Sequence, residues 1–168
     1  MKTKLLTICL FLFTSQAFAE EKVEFIDFVH LCINGVSNVK YLSRDSEFLG
    51  AQEMKESNPF KKELTERGYK GMLYTKNNKK IILYFGEVTD RGKKVGSCGV
   101  VSDHENYNHI FNKIKNGYDV KLVDKIKMGP GVQYLYEIKT GGDTNLSIQQ
   151  LTGKKEGSLR YDIFEFIK

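Results

Sequence analysis

GMLYTKNNKKIILYFGEVTDRGKKVGSCGVVS, residues 71–102, is the stretch whose reading decides the fold. Gly71–Lys76, Lys79–Val88 and Lys93–Ser102 are dense in Ile, Leu, Val, Tyr and Phe, side chains that suit a pleated, half-buried surface. Asn77-Asn78 separates the first two runs as a two-residue hairpin turn, and Asp90-Arg91-Gly92 reverses the second into the third. Three strands in succession are therefore predicted. Cys98 falls inside the third, with Gly96 and Gly99 beside it, where missing side chains let another backbone or a helix approach closely.

Downstream, Ser102 and Glu105 fit a capping box, and Asp103 and Glu105 place negative charge at the positive end of a helix dipole. Tyr107, Ile110, Phe111 and Ile114 supply an apolar stripe, and Gly117 a terminator. A helix is predicted over residues 102–117. Four further strands follow at Tyr118–Ile126, Val132–Lys139, Asn145–Leu151 and Leu159–Ile167, separated by Gly129-Pro130-Gly131, Gly141-Gly142-Asp143 and residues 153–157. Connections this short favour antiparallel neighbours. The helix before them leaves room for a crossover and one parallel pairing.

Upstream, Phe25, Phe28, Val29 and Cys32 recur at helical spacing between Glu21 and Asn34, with Gly35 as a stop. His30 lies beside that stripe and reads as a partly packed surface residue. Ser46, Phe48, Leu49, Ala51, Gln52 and Met54 suggest a second helix that ends before Asn58-Pro59, since the residue before proline is pushed out of the helical region. Phe60–Arg67 adds one or two helical turns closed by Gly68. The expected fold is α+β: a single domain with a mostly antiparallel twisted sheet, packed on one face by two to three helices.

Residues 1–19 read as a secretory signal: Met1-Lys2-Thr3-Lys4, an apolar run from Leu5 to Thr14, then a small-x-small site at Ala17-Phe18-Ala19. Cleavage is expected between Ala19 and Glu20, leaving residues 20–168 as one compact exported domain. The apolar run is about half the roughly 20 residues that a transmembrane span needs. Losing Lys2 and Lys4 lowers the formal charge from +5 to +3, and basic and acidic residues alternate along the remainder, so nucleic acid is not implied. Cys9 leaves with the signal, and Ile8 before it lacks the small side chain that lipoprotein processing requires. Cys32 and Cys98 remain as an even pair in an oxidising compartment, where a disulfide is the expected state.

His104-Glu105-Asn106-Tyr107-Asn108-His109 resembles a helical zinc motif only at first sight. The motif needs its two His four residues apart; five steps at about 100° each turn the rings roughly 140° from one another. His104 and Glu105 read instead as first-turn residues, and His109 as solvent-facing. A thiol enzyme would need Cys98 as thiolate with a His such as His104 as base, which a Cys32 bridge would preclude. The chain lacks a nucleophile elbow, a phosphate-binding glycine loop, a dinucleotide fingerprint and an EF-hand loop. No metal or cofactor is implied. Lys76, Lys79 and Lys80 flank one hairpin turn and Arg91, Lys93 and Lys94 the next, about 30 Å apart across a ten-residue strand. They read as solvated hairpin ends, one of which is suited to an acidic partner.

These features favour a small periplasmic or secreted protein-binding module, of the inhibitor, immunity or envelope-accessory kind, with a protein partner in the cell envelope. Tyr134, Tyr136 and Tyr161 are candidate anchors for that contact. The alternative is an exported enzyme, using either Cys98 with a His or a carboxylate pair that no sequence context marks.

Overall fold

The alternation of residues 71–102 resolves into a continuous antiparallel meander in the computed structural model, which describes residues 23–76, 78–90, 92–102, 105–128, 131–139, 145–152 and 159–166. The expected signal, its Ala19–Glu20 cleavage point and most of the predicted turn residues lie outside those residues. In chain order the elements are α1 (Phe25–Gly35), a 3-10 turn (Val36–Asn38), α2 (Val39–Phe48), β1 (Gln52–Glu53), α3 (Pro59–Glu66), β2 (Lys70–Lys76), β3 (Lys79–Asp90) and β4 (Lys93–Ser102). Then come α4 (Tyr107–Gly117), β5 (Asp119–Met128), β6 (Gly131–Lys139), β7 (Asn145–Thr152) and β8 (Leu159–Phe166).

All eight strands join one sheet in the order β1-β2-β3-β4-β8-β7-β6-β5. Every ladder among the described residues is antiparallel. The expected fold class therefore holds, and no parallel pairing occurs among the described residues. β4 and β5 do run in the same direction, but three strands stand between them. α4 carries the chain from the centre of the sheet to its far edge, and β5 to β8 meander back until β8 pairs with β4.

Alternation sorts the sheet into two faces. Met72, Leu83, Phe85, Cys98 and Val100 lie on the face covered by α1, α2 and α4 and are buried there. Phe25 and Phe28 on α1 are wholly buried against it, and removing each from water contributes about 1.5–3 kcal/mol. The start of α1 is held twice: the Glu24 N–H donates to Asp27 Oδ2 at 2.6 Å, and Glu24 Oε2 accepts from Lys113 Nζ of α4 at 2.6 Å. The short α3 lies on the opposite face, where Leu64 and Met54 fill the space over Gly71.

Two helix boundaries differ from those the sequence suggested. The second helix is Val39–Phe48, not a segment from Ser46 that stops before Asn58-Pro59; Gly50 at φ 87° stops it, with Ala51 N–H donating to Ser46 O and Gly50 N–H to Glu47 O. Gln52 and Glu53 are then free to pair with Leu73 and Met72. The fourth helix begins at Tyr107, capped by Asn106, whose Oδ1 accepts from the His109 N–H at 3.1 Å. Ser102 is not a cap: it closes β4, paired with Ile81 and Leu159. A buried ladder position satisfies its backbone more fully than an exposed first turn would.

Candidate functional site

Cys32 of α1 and Cys98 of β4 are joined by a disulfide, with Cα atoms 5.4 Å apart and both residues fully buried. The close approach expected at the neighbouring glycine is present: Gly96 sits beneath the Val36 carbonyl, and a Cβ built there would overlap that oxygen. A sulfur that is bonded and excluded from solvent offers no thiolate, so the thiol chemistry considered for Cys98 has no nucleophile here. His109 is exposed on α4, and His104 lies outside the described residues. Glu105 precedes α4 and pairs with Lys79 at 3.5 Å. Among the described residues no three His, Cys, Asp or Glu side chains are grouped as metal ligands.

The three candidate tyrosines separate. Tyr136 belongs to the core, under Phe111 of α4 at 4.9 Å. Tyr134 is half-buried and stacks on Tyr136 at 6.1 Å, with Lys125 Nζ 5.2 Å above its ring. The side chain of Tyr161 lies outside the described residues. Alternation along β6 puts Tyr134 and Tyr136 on the helix-covered face, and α4 reaches far enough to bury the second.

Two of the concavities among the described residues bear on the site. A groove of about 650 Å³ follows the outer side of α1 between the end of α2 and α4, lined by His30, Asp27, Asn34, Phe48 and Lys113. His30 is half-buried there, its ring edge-on to Tyr118 at 5.6 Å, and its Nε2 has no hydrogen-bond partner among the described residues. Burial pulls its pKa below the usual value; Asp27 opposes this and Lys113 adds to it. The folded state thus favours neutral His30, and the unfolded chain binds the extra proton below about pH 6.5. This contribution to stability is complete above that pH and is lost as pH falls through the depressed folded-state pKa. Urea unfolding at pH 7.5 and 5 should show a fall in stability on acidification that is smaller in His30→Gln; an equal fall in both proteins would remove His30 as its source.

The second concavity, a cleft of about 550 Å³, opens on the opposite face of the sheet beside α3. Leu73 and Ile82, direct cross-strand partners, form its half-buried floor. Phe60 stands at its rim, 54% exposed. The local sequence sets this position: Asn58 caps α3 through Oδ1, which accepts from the Phe60 N–H at 3.0 Å, and Pro59 starts the helix. None of the residues of α3 is buried, so the helix presents Phe60 rather than packing it away.

The charges around this cleft are unevenly matched. Glu53 is bound by Lys70 at 3.1 Å and Lys61 at 3.4 Å, and these ammonium groups, Lys70 first, hold its carboxyl below the usual range. Glu56 pairs with Lys61 at 2.7 Å. Lys55 and Lys80 also line the cleft. Both are exposed, and neither makes an ion pair among the described residues.

The basic cluster at the first hairpin is therefore divided: Lys79 turns to Glu105, Lys76 has an interaction of its own, and Lys80 faces the cleft. Of the second cluster Lys94 is exposed, while the side chains of Arg91 and Lys93 lie outside the described residues. The cleft was not foreseen from sequence. Its only local signal is an apolar residue directly after Asn58-Pro59, on a helix too short to bury a stripe. No family model matches the chain, and neither a curated protein nor a solved structure matches it.

Proposed function

We propose that this chain is exported and acts as a small protein-binding module whose contact surface is the cleft beside α3. The observation that carries the reading is Phe60, a large aromatic side chain held 54% exposed by a capped helix start, at the rim of a cleft floored by Leu73 and Ile82. Exposed aromatics beside a concave apolar floor are the usual anchors of protein contacts. Export rests on the signal pattern of residues 1–19 and accords with a buried disulfide, a bond that persists in oxidising compartments. No described helix is long and apolar enough to cross a membrane.

The test places a benzophenone photocrosslinker at position 60 and, as a control, at exposed Thr89 near the opposite end of β3, in protein expressed in its own cells. The expected result is a chain that begins at Glu20 and a discrete protein adduct from position 60 that position 89 does not form. A chain retaining Met1 in the cytosol overturns export. Absent adducts, or the same adducts from both positions, overturn the contact surface.

A further inference from the structure

We infer that the cleft beside α3 receives an acidic segment of its protein partner, with an apolar side chain of that segment on the floor and its carboxylates against Lys55 and Lys80. This rests on the reading of the cleft as the contact surface, and it adds the chemistry of what binds.

The argument is one of charge left over. Four of the nearby charges cancel within the protein: Lys70 and Lys61 engage Glu53, and Lys61 also pairs with Glu56 at 2.7 Å, so both carboxylates are occupied. Lys79, adjacent to Lys80 in sequence, is neutralised by Glu105. Lys55 and Lys80 are what remains, on the loop before α3 and on β3 respectively, both lining the same cleft. Thr75, the cross-strand partner of Lys80, and Asn58 add hydrogen-bonding groups. An incoming carboxylate therefore meets cations that no internal partner must first release, and an incoming cation meets two like charges, which is how opposed potentials select partners.

The apolar floor separates an acidic protein from other polyanions. A nucleic acid or polysaccharide binds through a track of cations that follows its backbone, whereas here two lysines flank Leu73, Ile82 and Phe60. An anion without apolar groups would leave that floor unused.

The experiment uses the mature, disulfide-bonded chain labelled with nitrogen-15. Its amide spectrum is titrated with a blocked octapeptide alternating Asp with Leu and Phe, with the same peptide carrying Lys for Asp, and with heparin. The acidic peptide is expected to shift amides of residues 52–58, 73–75 and 80–82. Lys55→Glu with Lys80→Glu should weaken it at least ~10-fold, Phe60→Ala should also weaken it, and the Lys peptide should leave the spectrum unchanged. Preserved dispersion of the variant spectra guards against misfolding.

Equal binding of the two peptides, or acidic-peptide binding that resists the charge reversal, overturns the acidic partner. So does heparin binding at these amides that is indifferent to Phe60→Ala, and so does the absence of shifts with any probe. The contact-surface reading fails separately, on missing adducts at position 60.

Discussion

Replacing both cysteines, Cys32→Ala with Cys98→Ala, lowers the unfolding free energy by about 4 kcal/mol on the chain-entropy model for a loop this long. The bridge spans 66 residues, and its loss releases the unfolded chain from a constraint that removes much of its freedom. Typical domains hold only about 5–15 kcal/mol in total, so the variant is expected near the edge of folding at physiological temperature. Alanine is the informative replacement because both sites are fully buried; serine would add an unsatisfied hydroxyl costing about 1–3 kcal/mol and confuse the comparison. Urea denaturation of the oxidised and double-alanine proteins measures the effect, and the variant's m-value should rise as its unfolded state expands. A stability difference under about 1 kcal/mol would mean that α1 and β4 hold together without the bond and that the bridge constrains little.

The same pair explains how much of the fold can be read from the chain. Cys32 and Cys98 are legible because, once Cys9 is set aside with the signal expected over residues 1–19, two cysteines leave one pairing, and because α1 and β4 carry strong, uninterrupted signals: a 3.6-residue apolar stripe and a β-rich run bounded by turns. Where the apolar pattern is ambiguous, local geometry decides instead. Phe48, Leu49, Ala51 and Met54 look like a helical stripe, yet α2 buries only Leu42 and Ser46, leaves Phe48 92% exposed as its last residue and is stopped by Gly50. The glycine's positive φ is worth more there than the periodicity around it. Ser102 and Asn106 are both good caps, and only the ladder between β4 and its two neighbours selects the second.

The order of strands and the candidate site are of another kind. That β8 returns to pair with β4 depends on contacts between segments more than fifty residues apart, for which no local pattern exists. The cleft is assembled from three separate stretches: the segment from Gly50 to Phe60, the end of β2 and the start of β3. Lys80 could be seen as one member of a basic hairpin. That Lys79 beside it would be cancelled by Glu105, and Lys80 left over, follows only once α4 is placed.

Gly96→Ala is expected to cost about 3 kcal/mol, at the upper end for overpacking a close-packed interior, because the obstacle is backbone. The Val36 carbonyl oxygen occupies the space the methyl would take, and the 3-10 turn that carries it cannot simply move away. Val36 lies four residues beyond Cys32, and Gly96 two residues before Cys98, so the bridge ties the two clashing segments together. Gly99→Ala meets the ring of buried Tyr84 instead, a side chain rather than backbone, and should cost less. Gly117→Ala has open space and should be close to neutral.

Thermal and urea unfolding of the three variants should rank them in that order, and a Gly96→Ala protein no less stable than Gly117→Ala would refute the close approach. The tie makes a sharper prediction. Without the bridge the turn can retreat, so Gly96→Ala should cost less in the Cys32→Ala, Cys98→Ala background than in the oxidised protein, a coupling that neighbouring sites show and distant ones do not. Additive losses would mean that the disulfide and the glycine hold α1 against β4 independently.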